Sequence, residues 1–431
     1  MNFSQLIAIV IFVATFAVIL SERVHRTIVA MAGATVMLIV GMIMGFYTQE
    51  QALRSIDFNT LGLLLGMMIL VRLLERTGFF RYVAIVAGKR SGGRPWLLLV
   101  ALGVATTILS MVLDNVTTIV LIVPVTILIA EITGINPVPL LVAEALLSNT
   151  GGVATLVGDP PNVLIGSAAN LTFISFLTHL APLIGVAWVV AVVMLRVAFR
   201  RELAERPTNI DALRHLNENE ALRDRGSLQK ILVTLAVVIM LFFLEEPLHL
   251  KPAFIALGGA AVALLWVRPD VDEALRQVEW SVLLFFAALF VATGGLEASD
   301  VLSLLANDIA GLARANLLAA SLALLWIAAI ISAVVDNIPF TIALIPVIQQ
   351  LGSLGINISP LWWALALGAG LGGNGTPIGS TASVITVALS EKTHTPITAR
   401  IWMRSGLPVM VATCIVTSLL FAVFFKWMSV P

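Results

Sequence analysis

The sequence predicts an all-α polytopic membrane protein of two inverted repeats, each with five transmembrane helices plus one re-entrant hairpin, and with broken helices at the substrate site. Three observations carry this. Of the 431 residues, 59% are hydrophobic and 12% charged, whereas soluble domains carry about 25% charge and about 45–50% apolar residues. Apolar runs recur at the length of roughly 20 residues that a bilayer core of about 30 Å requires. The same polar residues recur inside those runs at an offset of 222 positions.

The runs follow in order. Spans are expected at about 4–20, 27–46 and 58–75. The first has no positive region ahead of it and no small-residue cleavage site, so it reads as a retained span rather than a signal peptide. After Ser91-Gly92-Gly93-Arg94-Pro95 comes a long run, about 96–130, interrupted by Asp114 and Asn115. The runs at about 138–169 and 172–199 follow, the former interrupted by polar residues and glycines. Residues 200–228 form the one long hydrophilic stretch, a linker with helically spaced leucines, and 229–431 is the second half. Phe79 to Val86 and Val301 to Leu312 are amphipathic and read as interfacial helices.

At the offset of 222, Leu109-Ser-Met-Val-Leu-Asp114-Asn115 pairs with Ile331-Ser-Ala-Val-Val-Asp336-Asn337, Arg54 with Arg276, Asp57 with Glu279, and Glu75 with Glu297. With one residue of slippage, the Gly151-Gly152-x-x-Thr155-x-x-Gly158 pattern pairs with Gly372-Gly373-x-x-Thr376-x-x-Gly379. The halves, 1–199 and 229–431, are therefore repeats. If 96–130 spanned twice, each half would cross six times and the repeats would be parallel. A re-entrant hairpin with Asp114-Asn115 at its tip gives five crossings and inversion. Under five crossings, 20 of the 25 Lys+Arg fall on the linker side and only Arg54, Lys251, Arg314 and Lys426 opposite, with Arg72 inside a span. That asymmetry places the linker in the cytoplasm and both termini outside a cytoplasmic (inner) membrane. The second repeat then holds a hairpin at about 317–351 and a broken helix at about 360–390. Inverted repeats with discontinuous helices near the midplane are transporter architecture.

Asp114 and Asp336 are carboxylates inside apolar runs, where a charge must be paired, hydrated or neutralised by a proton. Both can cap the helix that follows, but Asn115 and Asn337 could do so without a charge. The functional reading makes Asp114, Asp336 and Asp159 the proton-coupling groups. Asp159 also reads as an N-cap ahead of Pro160-Pro161. The interrupted runs free backbone groups that can bind solute, since unwound backbone at membrane depth is tolerated only where it is packed in protein or lines a wet cavity. Around them stand Asn149, Thr150, Gly151, Gly152, Thr155 and Asn162, opposite Gly373, Asn374, Thr376, Ser380, Thr381 and Ser383. The partners of Asp159 and Asn162 in the second half are Ser380 and Ser383, so the site is lopsided. Arg72 is expected to snorkel or to pair with Glu75.

The stretches Leu113-Asp-Asn-Val-Thr-Thr-Ile119, Gly158-Asp-Pro-Pro-Asn-Val163, Val335-Asp-Asn-Ile-Pro-Phe-Thr341 and Gly372-Gly-Asn-Gly-Thr376 resemble the ArsB and P-protein branch of the ion transporter superfamily. The resemblance covers nearly the whole chain. It implies a scaffold unit and a transport unit, with Asn115, Thr117, Thr118, Asn337 and Thr341 joining the substrate-binding set. It also implies a secondary efflux carrier, with proton-coupled export of arsenite or antimonite as the first reading. A sodium/proton antiporter or a dicarboxylate-like anion carrier is the alternative. Arsenous acid is neutral and suits Asn, Thr and Gly groups. Dicarboxylate carriers resemble the chain at Ser148-Asn149-Thr150, where the second half has Ala369-Gly370-Leu371.

Other classes are disfavoured. Balanced charge, 25 Lys+Arg against 25 Asp+Glu, gives no surplus for nucleic acid. The single Cys414 and five scattered His give no metal-ligand spacing, and no nucleophile–base pattern lies near the polar residues, so neither an enzyme nor a bound cofactor is expected. A channel would share the cavity but need no proton coupling. Expected partners are the small solute, protons and the lipid bilayer. A soluble ATPase docked on the basic linker and a homodimer stay open, the plain reading of the linker being a positive-inside anchor.

Overall fold

A computed structural model describes residues 2–21, 23–205, 207–209, 213, 215 and 217–430. Arg206, Arg214 and Leu216 of the expected linker pattern lie outside the described residues. The first half runs α1 (Phe3–Leu20), α2 (Arg26–Met44), α3 (Gln49–Ser55), α4 (Phe58–Arg76), α5 (Phe79–Arg90), α6 (Pro95–Val112), α7 (Asn115–Thr133), α8 (Val138–Gly152), α9 (Pro160–Ala169) and α10 (Phe173–Ala198). A short linker helix, α11 (Glu218–Ala221), leads to the second half. It runs α12 (Arg225–Phe243), α13 (Glu245–Leu248), α14 (Pro252–Val267), α15 (Val271–Arg276), α16 (Trp280–Ala298), α17 (Val301–Ala315), α18 (Leu317–Ser332), α19 (Asn337–Ser353), α20 (Ser359–Gly372), α21 (Thr381–Ser390), α22 (Ala399–Val423) and α23 (Phe425–Met428). Among the described residues there is no strand.

Caps and breaks follow local chemistry. The carboxylate of Asp57 accepts the Asn59 and Thr60 N–H groups at the start of α4, and Asp114 and Asp336 do the same for α7 and α19. Gly45 and Gly134 end α2 and α7 in the left-handed conformation. Proline opens α6, α8, α9, α14 and α20, where its missing N–H removes no helical bond.

Among the described residues, eight helices are long and apolar enough to cross a membrane, and α6 and α7 are among them. Length alone would make these two full spans. Packing makes them a hairpin instead, because the α6–α7 tip is buried against the break between α8 and α9. Asn115, 3% exposed, donates to both Asn149 and Asp159. The α18–α19 tip reaches the same place through Asn337, which donates to Asp159.

The two hairpins enter from opposite faces. The base of the first binds the linker and the 391–398 loop: the Thr208 N–H and hydroxyl donate to Thr133, and the Thr395 hydroxyl donates to Asn136. Lys89 on the same face pairs with Glu218, and that hydrogen bond holds the Glu218 carboxyl below the usual carboxylate range. The base of the second hairpin lies with both ends of the chain. Gln5 donates to Asp300 O, Arg314 to Leu354 O and Asn357 to Ser429 O. The repeats are inverted.

Each repeat also lends a helix to the other. Helix α4 packs on α14, and α16 on α2, so the scaffold is sewn across the repeat boundary. Gly66 permits the first approach, since a Cβ there would lie 2.4 Å from the Ala256 carbonyl carbon. Inside each repeat the hairpin packs on its broken helix, α6 on α8 and α18 on α20.

Candidate functional site

The centre of the site is Asp159. It follows the α8–α9 break, is 2% exposed, and makes no side-chain cap bond to α9. Its two oxygens instead accept one amide from each hairpin tip, Asn115 on Oδ1 and Asn337 on Oδ2, each at 3.4 Å. The division of labour at the tips is thus the reverse of the cheaper arrangement. The aspartates cap, with Asp114 accepting the Thr117 N–H at 2.7 Å and Asp336 the Ile338 N–H at 3.1 Å. The asparagines face the centre.

A second layer ties the two breaks together. Asn149 donates to Asn374 Oδ1 at 3.0 Å and to Ser380 Oγ at 2.9 Å, while Asn374 donates to Thr150 Oγ1 at 3.2 Å. Asn149 matches Gly370 in the other repeat, and Asn374 matches Val153, so each half supplies an amide where the other has none. Asn162 holds the α8–α9 break by donating to the carbonyls of Gly152, Val153 and Thr155. Ser380 and Ser383 share a hydrogen bond of 2.8 Å, and Ser383 also donates to Gly373 O.

The remaining candidates divide by what their hydroxyls touch. Thr117 donates to Asp114 Oδ2, Thr118 to Asp114 O, Thr341 to Asn337 O, and Thr150 to Leu146 O. Thr155 donates to Met111 O and accepts the Gly158 N–H, while Thr376 donates to Ala333 O. These last two hold each break to the hairpin beside it. Gly151 and Gly152 are fully packed against the α6–α7 hairpin and the break itself. Thr155→Val and Thr376→Val should each lower unfolding stability by about 1 kcal/mol, because a part-buried carbonyl loses its donor. Thermal unfolding in detergent checks this, and an unchanged midpoint would show the hydroxyls to be structurally idle.

Charge gathers on the linker-side flank of the centre. Asp336 is paired with Arg26 at 2.8 Å and accepts from Thr381 at 3.1 Å. Arg26 also lies over the Phe285 ring. Arg72 bridges Glu75 at 2.9 Å and Glu279 at 2.7 Å, so it pairs with the expected residue and with one more. A small cavity of about 70 Å³ opens here, lined by Asp114, Glu279, Arg26 and Thr381. Leu63 and Val163 separate it from a vestibule of about 860 Å³ on the opposite flank, bordered by Asp57, Asn59, Glu245, Lys251 and Gln349. Sequence reasoning missed Arg26 and Glu279 as parts of this flank. Both stand at the start of a helix and look like boundary charges, and nothing local links Arg26 to a residue 310 positions away.

Discontinuous helices and hairpin tips that meet around buried polar groups, with cavities on either flank, define a membrane transporter. The chain belongs to the citrate transporter family, which matches residues 16–368. An uncharacterized transporter of Mycobacterium tuberculosis is 40% identical, over 96% of this chain and 97% of its own length. The 46 kDa membrane protein of Mycobacterium leprae is 39% identical over 94% and 96%. The P protein of Homo sapiens is 33% identical over 95% of this chain, which spans 59% of that longer protein. This agrees with the P-protein resemblance of the motifs. The crystal structure of the Alcanivorax borkumensis YdaH transporter shares the fold, with a TM-score of 0.64 at 17% identity over 95% of this chain and 100% of that one.

Proposed function

We propose that the chain is a proton-coupled secondary carrier exporting a small neutral hydroxylated solute, arsenite or antimonite, across the cytoplasmic membrane. The observation that carries this is a buried carboxylate, Asp159, held by an asparagine from each of two oppositely inserted hairpins. A group so placed touches both moving tips, and a proton on it changes what both amides bind. Asp114 and Asp336 complete the coupling set on the linker-side flank. The solute is held by Asn115, Asn149, Thr150, Asn337, Asn374, Ser380 and Ser383, while Asn162, the glycines at positions 151, 152 and 373 and the threonines at positions 117, 118, 155, 341 and 376 keep the breaks and hairpin tips in shape. Amide and hydroxyl groups, with Arg26 on the flank already paired to Asp336, suit an uncharged solute better than a multiply charged one. The positive-inside asymmetry puts the linker in the cytoplasm and the vestibule outside.

A second reading has its own support. The family is described by citrate transport, and Arg26 beside the small cavity is a cation that an organic anion could recruit from Asp336.

Inverted vesicles containing the purified protein separate the readings, with arsenite, Na+ and citrate each offered with and without an acid-inside pH gradient. Arsenite accumulation that collapses with the gradient is the expected result. Citrate accumulation without arsenite flux would transfer the site to the anion reading, and gradient-driven Na+ movement alone would make it a cation site.

A further inference from the structure

Glu144 lies on α8 in the apolar run between Val138 and Leu147, and its residue exposure is 0%. The Thr126 hydroxyl of α7 donates to Oε1 at 2.5 Å, while Oε2 is buried and without a partner. Among the described residues no cation is paired with it. The helices packed on α8 are α6, α7, α10, α20, α21 and α22. Of these, α6, α20 and α21 carry no titratable side chain, and α7 carries only the exposed Glu131. On α10 stand His179, stacked on Trp363, and Arg196, over Trp96. On α22 stand Arg400, Arg404 and the buried Cys414.

A permanently charged carboxylate in such a place costs several kcal/mol. Nor does the fold require one, since the matching position of the second repeat is Leu365. Its position is informative. Helix α8 begins beside Asn136 on the linker face and ends at the α8–α9 break, so Glu144 stands between the linker-side surface and Asp159. One helical turn further on, Ser148 donates to Ser110 Oγ and Asn115 O, and the Asn115 side chain reaches Asp159.

We propose that Glu144 is a further proton-binding site of the transport unit, loaded from the linker side and exchanging its proton during the cycle. The step is a proton transfer only: the O–H bond at one carboxyl breaks as another forms, and nothing is oxidised. The proposal rests on the reading of Asp159 as a proton carrier, and its test keeps the two apart.

The probe is the carbonyl stretch of protonated carboxyl groups, followed by infrared difference spectroscopy of purified protein in lipid vesicles during a pH titration. Among its titrating bands in this class, the wild type should show one that is lost in Glu144→Gln and a different one that is lost in Asp159→Asn. Glu144→Gln should also release one proton fewer per protein. Thr126→Val, which removes the donor to Oε1, should shift the Glu144 band alone and serves if Glu144→Gln does not fold. A Glu144→Gln spectrum that loses no titrating band, or a Thr126→Val spectrum without a shift, overturns the proposal. Loss of the Glu144 band with none lost in Asp159→Asn overturns the reading of Asp159 and leaves Glu144 standing as a proton site.

Discussion

Asp159→Asn should abolish gradient-driven accumulation of solute, down to the background of protein-free vesicles, while solute-for-solute exchange across the same vesicles persists. The substitution keeps the shape of the side chain and removes only its ability to exchange a proton. Asn115 and Asn337 both donate to the carboxylate. An asparagine there keeps one acceptor, and a neighbouring amide restores the other bond by turning over, since its oxygen and nitrogen are nearly equal in shape. The fold should therefore survive, with near-native thermal unfolding. Accumulation at the wild-type rate in Asp159→Asn would remove this residue from the coupling.

Gly158→Ala should destabilise the folded state. A Cβ at this position would lie 2.5 Å from Ser110 O, 2.7 Å from Gly152 O and 2.9 Å from Gly152 Cα. All three are backbone atoms and none can swing away, so the break and the α6–α7 hairpin must separate. Overpacking of this kind costs about 1–3 kcal/mol, and it falls on the residue next to Asp159, so transport should be lost along with stability. Gly185→Ala on α10 is the control, because a Cβ there meets nothing within 4 Å. Equal unfolding midpoints for the two variants would show that the break tolerates expansion.

The all-α membrane fold and the inversion of the repeats were legible because they rest on long-range regularities of the chain itself. Composition, run length and the repeated Asp-Asn pair are visible without knowing any contact. The residues that gather at the two breaks and hairpin tips were legible as a candidate set but not as a network. Asp159 precedes Pro160-Pro161 and so looks like a helix cap. Its actual partner Asn337 is 178 positions away, and no local pattern announces that bond. Asn149 and Asn374 have no counterparts at matching repeat positions, so a search for symmetry passes over their mutual hydrogen bond. Glu144 was overlooked because it interrupts an apolar run without any flanking glycine, proline or charge. Arg72 with Glu75 was readable, being a pair three residues apart on one helix face, whereas Glu279 came from the other repeat.

The coupling of proton and solute movement is the central claim, and it is tested most directly by measuring both at once. Proteoliposomes with a pH-sensitive dye trapped inside, and no initial gradient, are given external arsenite while its uptake is followed. Arsenous acid is neutral and moves no charge by itself. Exchange for protons should turn the lumen alkaline in step with uptake, and Asp159→Asn should show no such change. Arsenite uptake through the wild-type protein at constant luminal pH would contradict the account.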